Sequence, residues 1–320
     1  MRGLALSITV FVFGFVASAS AEGVTVRTTT RMLADPLGYL LADQAEVTAL
    51  LGAGTDPHTY QPTRKDVRQL AEADAVVYHG LLFEAQLLDL MRQLERRSAV
   101  FAGEAFQTPD QLLFVEGYAD PHTWHDPVLW IETVIEVAYA MSQDLDLVVP
   151  EERAETLRTA ARLIDNWITQ SFAPIPAERR VVVSAHDAFS YYGKRYGLSL
   201  EPLLGLSTAS ETKLARVNEL VQLIAERDIS AVFSETSVES AGIAALREGA
   251  AQRGVDLRSM PPLFSDALGP ADEAGGRYFG MLIENTINMV DAISGKRPAL
   301  SPSTGTFLET HGLVLLENSL

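Results

Sequence analysis

Eight short apolar runs, rich in β-branched residues and separated by longer stretches of helical period, place the tightest limits on how this chain can fold. They lie at Val24–Thr29, Val47–Leu51, Ala75–Tyr78 and Ala99–Phe101 in the first half. In the second half they lie at Val181–Ser184, Leu200–Leu204, Ala231–Ser234 and Val255–Leu257. Alternation of this kind predicts an α/β fold with mainly parallel sheets, because parallel strands need long crossovers, usually helical, rather than tight turns.

Between the two four-stranded halves runs one periodic stretch, Glu151–Phe172, with Leu157, Ile164, Trp167, Ile168 and Phe172 on one stripe. Glu151, Glu152 and Glu155 stand near its start, where the helix dipole favours acids. Twenty-two residues at 1.5 Å each give a rod of roughly 33 Å, about the width of a small lobe. A rod of that length is expected to act as a stiff spine, so the domain boundary is placed within it; the competing reading is an ordinary crossover helix inside one large sheet. The chain has 320 residues, enough for two domains of about 150 each. Two shorter helices are predicted from their caps. Thr63 with Asp66 opens one through about Glu72, and Asp126-Pro127 opens another through about Ser142.

The first 21 residues, MRGLALSITVFVFGFVASASA, read as a secretory signal cleaved before Glu22. No later stretch reaches the roughly 20 apolar residues that a membrane span needs. The chain has no cysteine, hence neither a disulfide nor a lipidated N-terminal cysteine. The expectation is a protein free in the periplasm without a lipid anchor. A formal charge of −17 disfavours nucleic acid and anionic lipid as partners and mildly favours cations.

Residues 55–63 read TDPHTYQPT and residues 119–127 read ADPHTWHDP, so Asp-Pro-His-Thr-aromatic occurs twice in a chain of six histidines. The surroundings of the two copies share no pattern, which makes this the duplication of a local site rather than of a fold unit. In open α/β sheets ligands bind beyond the carboxyl ends of the strands. His58 follows the second run, His186 follows the fifth in SAHDAF, and Asp266 follows the eighth in FSDALG. His122 stands in the loop before the Trp130 helix. Three imidazoles and one carboxylate drawn from both halves suit zinc, manganese or iron. His125 competes with His122 within HTWH, and the shared Asp-Pro-His context favours His122. His79 and His311 have no such context. Glu235, in FSETSV, is placed beside the site or at a helix cap.

In this order and spacing, GAGTDPHTYQPTRKD, ADAVVYHGLLFE, DPHTWHDP, VVVSAHDAFSYYGKRYG, VFSETSV and LFSDALG resemble the metal-binding solute-binding proteins of zinc and manganese ABC importers, the cluster A-I family. The likeness runs from about Val24 to Asp291. It implies two β/α lobes, each with a mainly parallel four-stranded sheet, joined by one long rigid helix with the metal between them. It implies His58, His122, His186 and Asp266 as ligands. The domains are then the signal, an N-terminal lobe over 22–150, a linking helix over 151–172, a C-terminal lobe over 173–300 and an unassigned tail over 301–320. Two departures stand out. His79-Gly80 occupies a place where the family often has Asn-Gly. Gly103–Ala119 contains no histidine, whereas zinc importers commonly carry a His-rich loop there, and this leans the cargo towards manganese, or a mixture with zinc and iron.

The function implied is capture of Mn2+ or Zn2+, with Fe2+ as a further candidate, and delivery to an ABC permease of the inner membrane by a monomer that catalyses nothing. The alternative is a secreted zinc-dependent hydrolase using the same residues. Catalytic zinc usually keeps a position for water, and four protein ligands leave none.

Overall fold

A computed structural model describes residues 23–96, 98–239 and 241–315; the expected signal segment lies outside the described residues. In chain order the first half comprises β1 (Val24–Thr28), α1 (Arg31–Leu41), β2 (Ala45–Ala49), α2 (Arg64–Ala71), β3 (Ala75–Tyr78), α3 (Leu88–Leu94), β4 (Ala99–Ala102), β5 (Phe114–Val115), β6 (Tyr118–Ala119) and α4 (Pro127–Leu145). Then come α5 (Glu151–Phe172), β7 (Val181–Ser184), α6 (Ser190–Tyr196), β8 (Ser199–Pro202), α7 (Leu214–Glu226), α8 (Ala241–Gln252), α9 (Tyr278–Ser294) and α10 (Pro302–Thr310). The architecture is the two-lobed α/β fold expected from the sequence.

The first sheet has the order β2-β1-β3-β4 with every pair parallel. In the second lobe β7 pairs with β8 in parallel. The Phe233 amide donates to the Val183 carbonyl at 2.9 Å, which sets the 231–235 segment against the other side of β7. That segment meets the next through single parallel bridges, Ala231 to Arg258 and Glu235 to Leu263. The four extended segments thus repeat the order of the first sheet, but only β7 and β8 form a continuous ladder. Pairing falls at Arg258 and Leu263 rather than along Val255–Leu257. Pro261-Pro262 lies between the two bridges, and neither proline has an amide to give.

The linking helix α5 has the bounds read from its periodicity, and Leu157, Ile164, Ile168 and Phe172 on its stripe are fully buried. It packs on α1 and α4 on one side and on α6, α9 and α10 on the other. One apolar core therefore runs through both lobes, from Val26 and Leu37 past Ile164 to Leu282 and Leu308. Full burial of such side chains is worth about 1.5–3 kcal/mol each, so the spine is fixed along its length. The tail left unassigned by the sequence contains α10, capped by the Ser301 hydroxyl, which accepts from the Thr304 amide at 3.2 Å. Leu308, Leu313 and Val314 return it to the core. The small antiparallel hairpin of β5 and β6 had no strand signal in the sequence. Among the described residues no helix is long and apolar enough to cross a membrane.

Candidate metal centre

Both Asp-Pro-His copies are built by the same local device. In the first, the Asp56 carboxylate accepts the His58 backbone amide at 2.9 Å. In the second, Asp120 accepts the His122 amide, also at 2.9 Å. An aspartate two residues ahead closes a turn on the histidine amide, and the intervening proline fixes φ without offering a competing donor. The copies differ in what else the carboxylate does. Asp120 also accepts the His122 Nδ1 proton at 2.7 Å, whereas Asp56 accepts the hydroxyls of Thr59 and Thr208 at 2.9 and 2.6 Å. His186 leaves the end of β7 and is fixed twice by Glu235, which accepts its backbone amide at 2.9 Å and its Nδ1 proton.

These turns bring four donor groups to one point between the lobes. The Nε2 atoms of His58 and His122 are 3.3 Å apart, and Asp266 Oδ1 lies 3.5 Å from the latter. Asp266 Oδ2 lies 3.2 Å from His186 Nε2 and 3.9 Å from His58 Nε2. An ion held tetrahedrally at 2.0–2.1 Å requires its ligand atoms to be roughly 3.3–3.4 Å from one another; three of these separations, 3.2, 3.3 and 3.5 Å, lie close to that, and the 3.9 Å one is wider. The ligand atoms of all four residues lie within 4.8 Å of each other, and all four residues are buried. Neither carboxylate oxygen of Asp266 makes a hydrogen bond, nor does His186 Nε2. Buried polar atoms of this kind are costly unless a partner arrives, and a divalent cation supplies one.

The electrostatics favour a cation at that point. Burial pushes His58 down to about 3, only partly opposed by Asp266, so its imidazole is neutral at neutral pH. Burial alone would raise Asp266, yet His186, with His58 and His122, holds it below the usual carboxylate range. His186 is also disfavoured as a charge by burial, but Asp266 and Glu235 outweigh this and hold it well above the ordinary imidazole range. With Nδ1–H of His122 and His186 committed to carboxylates, Nε2 of each faces inwards, as in carboxylate–histidine–metal arrangements.

The other histidines stand apart from this cluster. His79 is buried, stacked on Trp130 with ring centroids 4.9 Å apart, and its Nε2 meets the Thr30 hydroxyl at 2.7 Å. His125 is buried against Phe189, at 4.6 Å, with neither ring nitrogen hydrogen-bonded. His311 caps the end of α10 through the Phe307 carbonyl. Glu235 is the brace of His186 rather than a helix cap. Sequence reasoning left Asp120 without a role although it stood in the repeated motif; the signal was the Asp two residues before each histidine. It also passed over Phe83, whose ring meets His58 edge-on at 4.9 Å, and Glu84, fully buried behind it. Of the four clustered residues, His58 alone lines the open cleft walled by Leu82, Tyr118 and Leu204.

A buried cage of three histidines and one aspartate, set between two β/α lobes on a single helical spine, defines a metal-binding solute-binding protein of the kind that serves ABC importers. Residues 26–292 match the ZnuA family, described as zinc-uptake complex component A, periplasmic, and the chain belongs to that family. It is 35% identical over 278 residues to the manganese-binding lipoprotein MntA of Bacillus subtilis, covering 85% of this chain and 90% of that one. It is 34% identical over 285 residues to the zinc-binding protein TroA of Treponema pallidum, covering 88% and 92%. The solved structure of the periplasmic zinc-binding TroA superposes with a TM-score of 0.80 at 33% identity, covering 85% of this chain and 99% of that one.

One expectation is corrected by these relatives. MntA is named a lipoprotein, which overturns the inference of a periplasmic protein without a lipid anchor. That inference rested on the lack of cysteine, and composition tells which thiols a chain carries, not how a folded protein is held near a membrane. The hydrolase alternative finds no counterpart among these relatives.

Proposed function

We propose that His58, His122, His186 and Asp266 together coordinate one divalent transition-metal ion, Mn2+ or Zn2+, as the cargo this protein captures and passes to the permease of an ABC importer in the inner membrane. The observation that carries this reading is the convergence of four buried donor groups within 4.8 Å of one another, among them an aspartate whose oxygens make no hydrogen bond. MntA is named for manganese and TroA for zinc, and a nitrogen-rich cage with one carboxylate suits both ions. With four protein ligands no coordination position is left for an attacking water, so the protein carries the ion and catalyses nothing. All four ligands come from one chain, which supports a monomer as the working unit. The lobes are read as 22–150 and 173–300, with 151–172 as the link.

Alanine at any of the four positions should weaken Mn2+ and Zn2+ binding by at least about a hundredfold, since each removes one of four ligands. Alanine at His311 should leave binding within about twofold, since that side chain bonds the Phe307 carbonyl of its own helix and is not in the four-residue cluster. Titration calorimetry on the five variants measures this, and retention of full affinity by Asp266→Ala would remove the proposal's central residue.

A further inference from the structure

The strand end that carries Asp266 belongs to the second lobe by sequence, yet the segment leading away from it is fastened to the first. The Trp124 indole donates to the Ser265 carbonyl at 2.8 Å, and the Tyr278 hydroxyl donates to the Trp124 carbonyl at 2.8 Å. Asp35 of α1 accepts from the Tyr278 amide at 2.9 Å and from Arg277 at 2.8 Å. Between these points Arg31, the first residue of α1, spans the loop that follows Asp266. One guanidinium nitrogen donates to the Gly269 carbonyl at 2.5 Å and the other to the Gly276 carbonyl at 2.6 Å.

That loop is closed on itself. The Gly269 amide donates across it to the Gly275 carbonyl at 2.9 Å. It is closed so tightly that a Cβ on Gly276 would stand 1.9 Å from the Pro270 carbonyl oxygen. A bracket on its two ends therefore constrains Asp266, three residues before Gly269. A planar guanidinium can give two parallel donors at fixed spacing, which an ammonium cannot.

We infer that Arg31 is a positioning residue for Asp266: it clamps the 269–276 loop to the first lobe, keeps the carboxylate with His58 and His122, and thereby sets how slowly the metal leaves. This rests on the reading of Asp266 as a ligand. Loss of the two charge-assisted hydrogen bonds should act on release rather than capture, because the clamp restrains the closed cage and lies away from the cleft at His58.

The experiment loads the wild-type protein, Arg31→Ala, Arg31→Lys and Arg153→Ala with Mn2+ or Zn2+ and follows dissociation into excess chelator by stopped flow. Arg153 is the control. It donates to the Ala42 carbonyl and Asp43 at 2.8 and 3.0 Å, far along the chain from Asp266, and tests whether general loosening is enough. Release should be about tenfold faster in Arg31→Ala, intermediate in Arg31→Lys and unchanged in Arg153→Ala, with association rates within about twofold throughout. In the metal-free proteins, hydrogen exchange at 267–269 should quicken in Arg31→Ala alone. Unchanged release from Arg31→Ala, or equal acceleration by Arg153→Ala, overturns the clamp while leaving the metal site standing. A wild-type protein that retains neither ion overturns both.

Discussion

His122 and His186 each give their Nδ1 proton to a fully buried carboxylate, Asp120 and Glu235, and so hold Nε2 towards the centre. Without that acceptor an imidazole is free to rotate or to protonate the wrong nitrogen, and such outer partners are commonly worth 10–100-fold in affinity. Glu235→Gln keeps an oxygen for the His186 amide but turns an NH2 towards Nδ1–H. It should weaken Zn2+ binding by about ten- to a hundredfold in calorimetry, and so should Asp120→Asn. His125→Ala should behave in the opposite way. Its ring fills space beside Phe189 and holds no donor in the cage, so it should lower the melting temperature and leave affinity within about threefold. A change in affinity larger than that for Glu235→Gln would give His125 the role assigned here to its neighbour in HTWH.

The 79–84 loop shows how an element pays for the place of a single side chain. Gly80, Leu81 and Leu82 all have positive φ, at 86°, 52° and 64°, a region costing an ordinary L-residue about 1–2 kcal/mol. Glu84 holds this turn in place, accepting the amides of His79 and Gly80 at 2.9 and 3.3 Å and the Thr29 hydroxyl at 2.6 Å. The result is Phe83 seated against His58. Burial pushes the Glu84 carboxyl up from 4.5 to about 7. Because the folded value lies above the unfolded one, the native state binds the extra proton between them, and stability contributed at this residue falls as pH rises from about 4.5 to 7. The metal-free protein should therefore gain stability relative to Glu84→Gln as pH is lowered from 8 to 5. The difference is on the order of 3 kcal/mol if the full shift is realised. Denaturant titrations of both proteins at the two pH values measure it, and parallel pH profiles would show that the carboxyl is not perturbed.

Across the whole molecule the lobes are joined by more than the spine. Arg31, Asp35 and Trp124 of the first lobe bond the 265–278 segment, Tyr191 of α6 donates to the Asp120 carbonyl at 3.0 Å, and the Thr208 hydroxyl reaches Asp56. With the core continuous through α5, the lobes are expected to open without a wide hinge, and exchange of the ion to need only local movement. Metal loading should change the radius of gyration by less than about 1 Å, as in other pre-organised binding surfaces. It should also raise the melting temperature in one cooperative step, with about 4 kcal/mol of added stability at a thousandfold excess over Kd. Solution scattering and calorimetry of the same samples test the two together; a marked compaction on loading would show that the spine bends.

How much of this could be read in advance differs between features for physical reasons. Periodicity and capping are local, so Glu151–Phe172, the Thr63–Asp66 box and the strand at Ala75–Tyr78 were legible, and the repeated Asp-Pro-His marked two residues of the buried cluster because its turn is closed within three residues. The pairing at Arg258 and Leu263 was not legible, since a single bridge beside Pro261-Pro262 leaves no alternating pattern. Nor was the choice between His122 and His125 settled by chemistry: both are buried, and only the fold turns one towards Asp266 and the other towards Phe189. Glu235, Arg31 and Glu84 act on residues 49, 238 and 55 positions away, or on their near neighbours through a bent loop. The sequence by itself determined the linking helix, the capped helices and most of the strands, the donor types and the family of site. The tertiary structure decided which donors meet and what braces them, because contacts between distant residues are set by packing and leave no period in the chain.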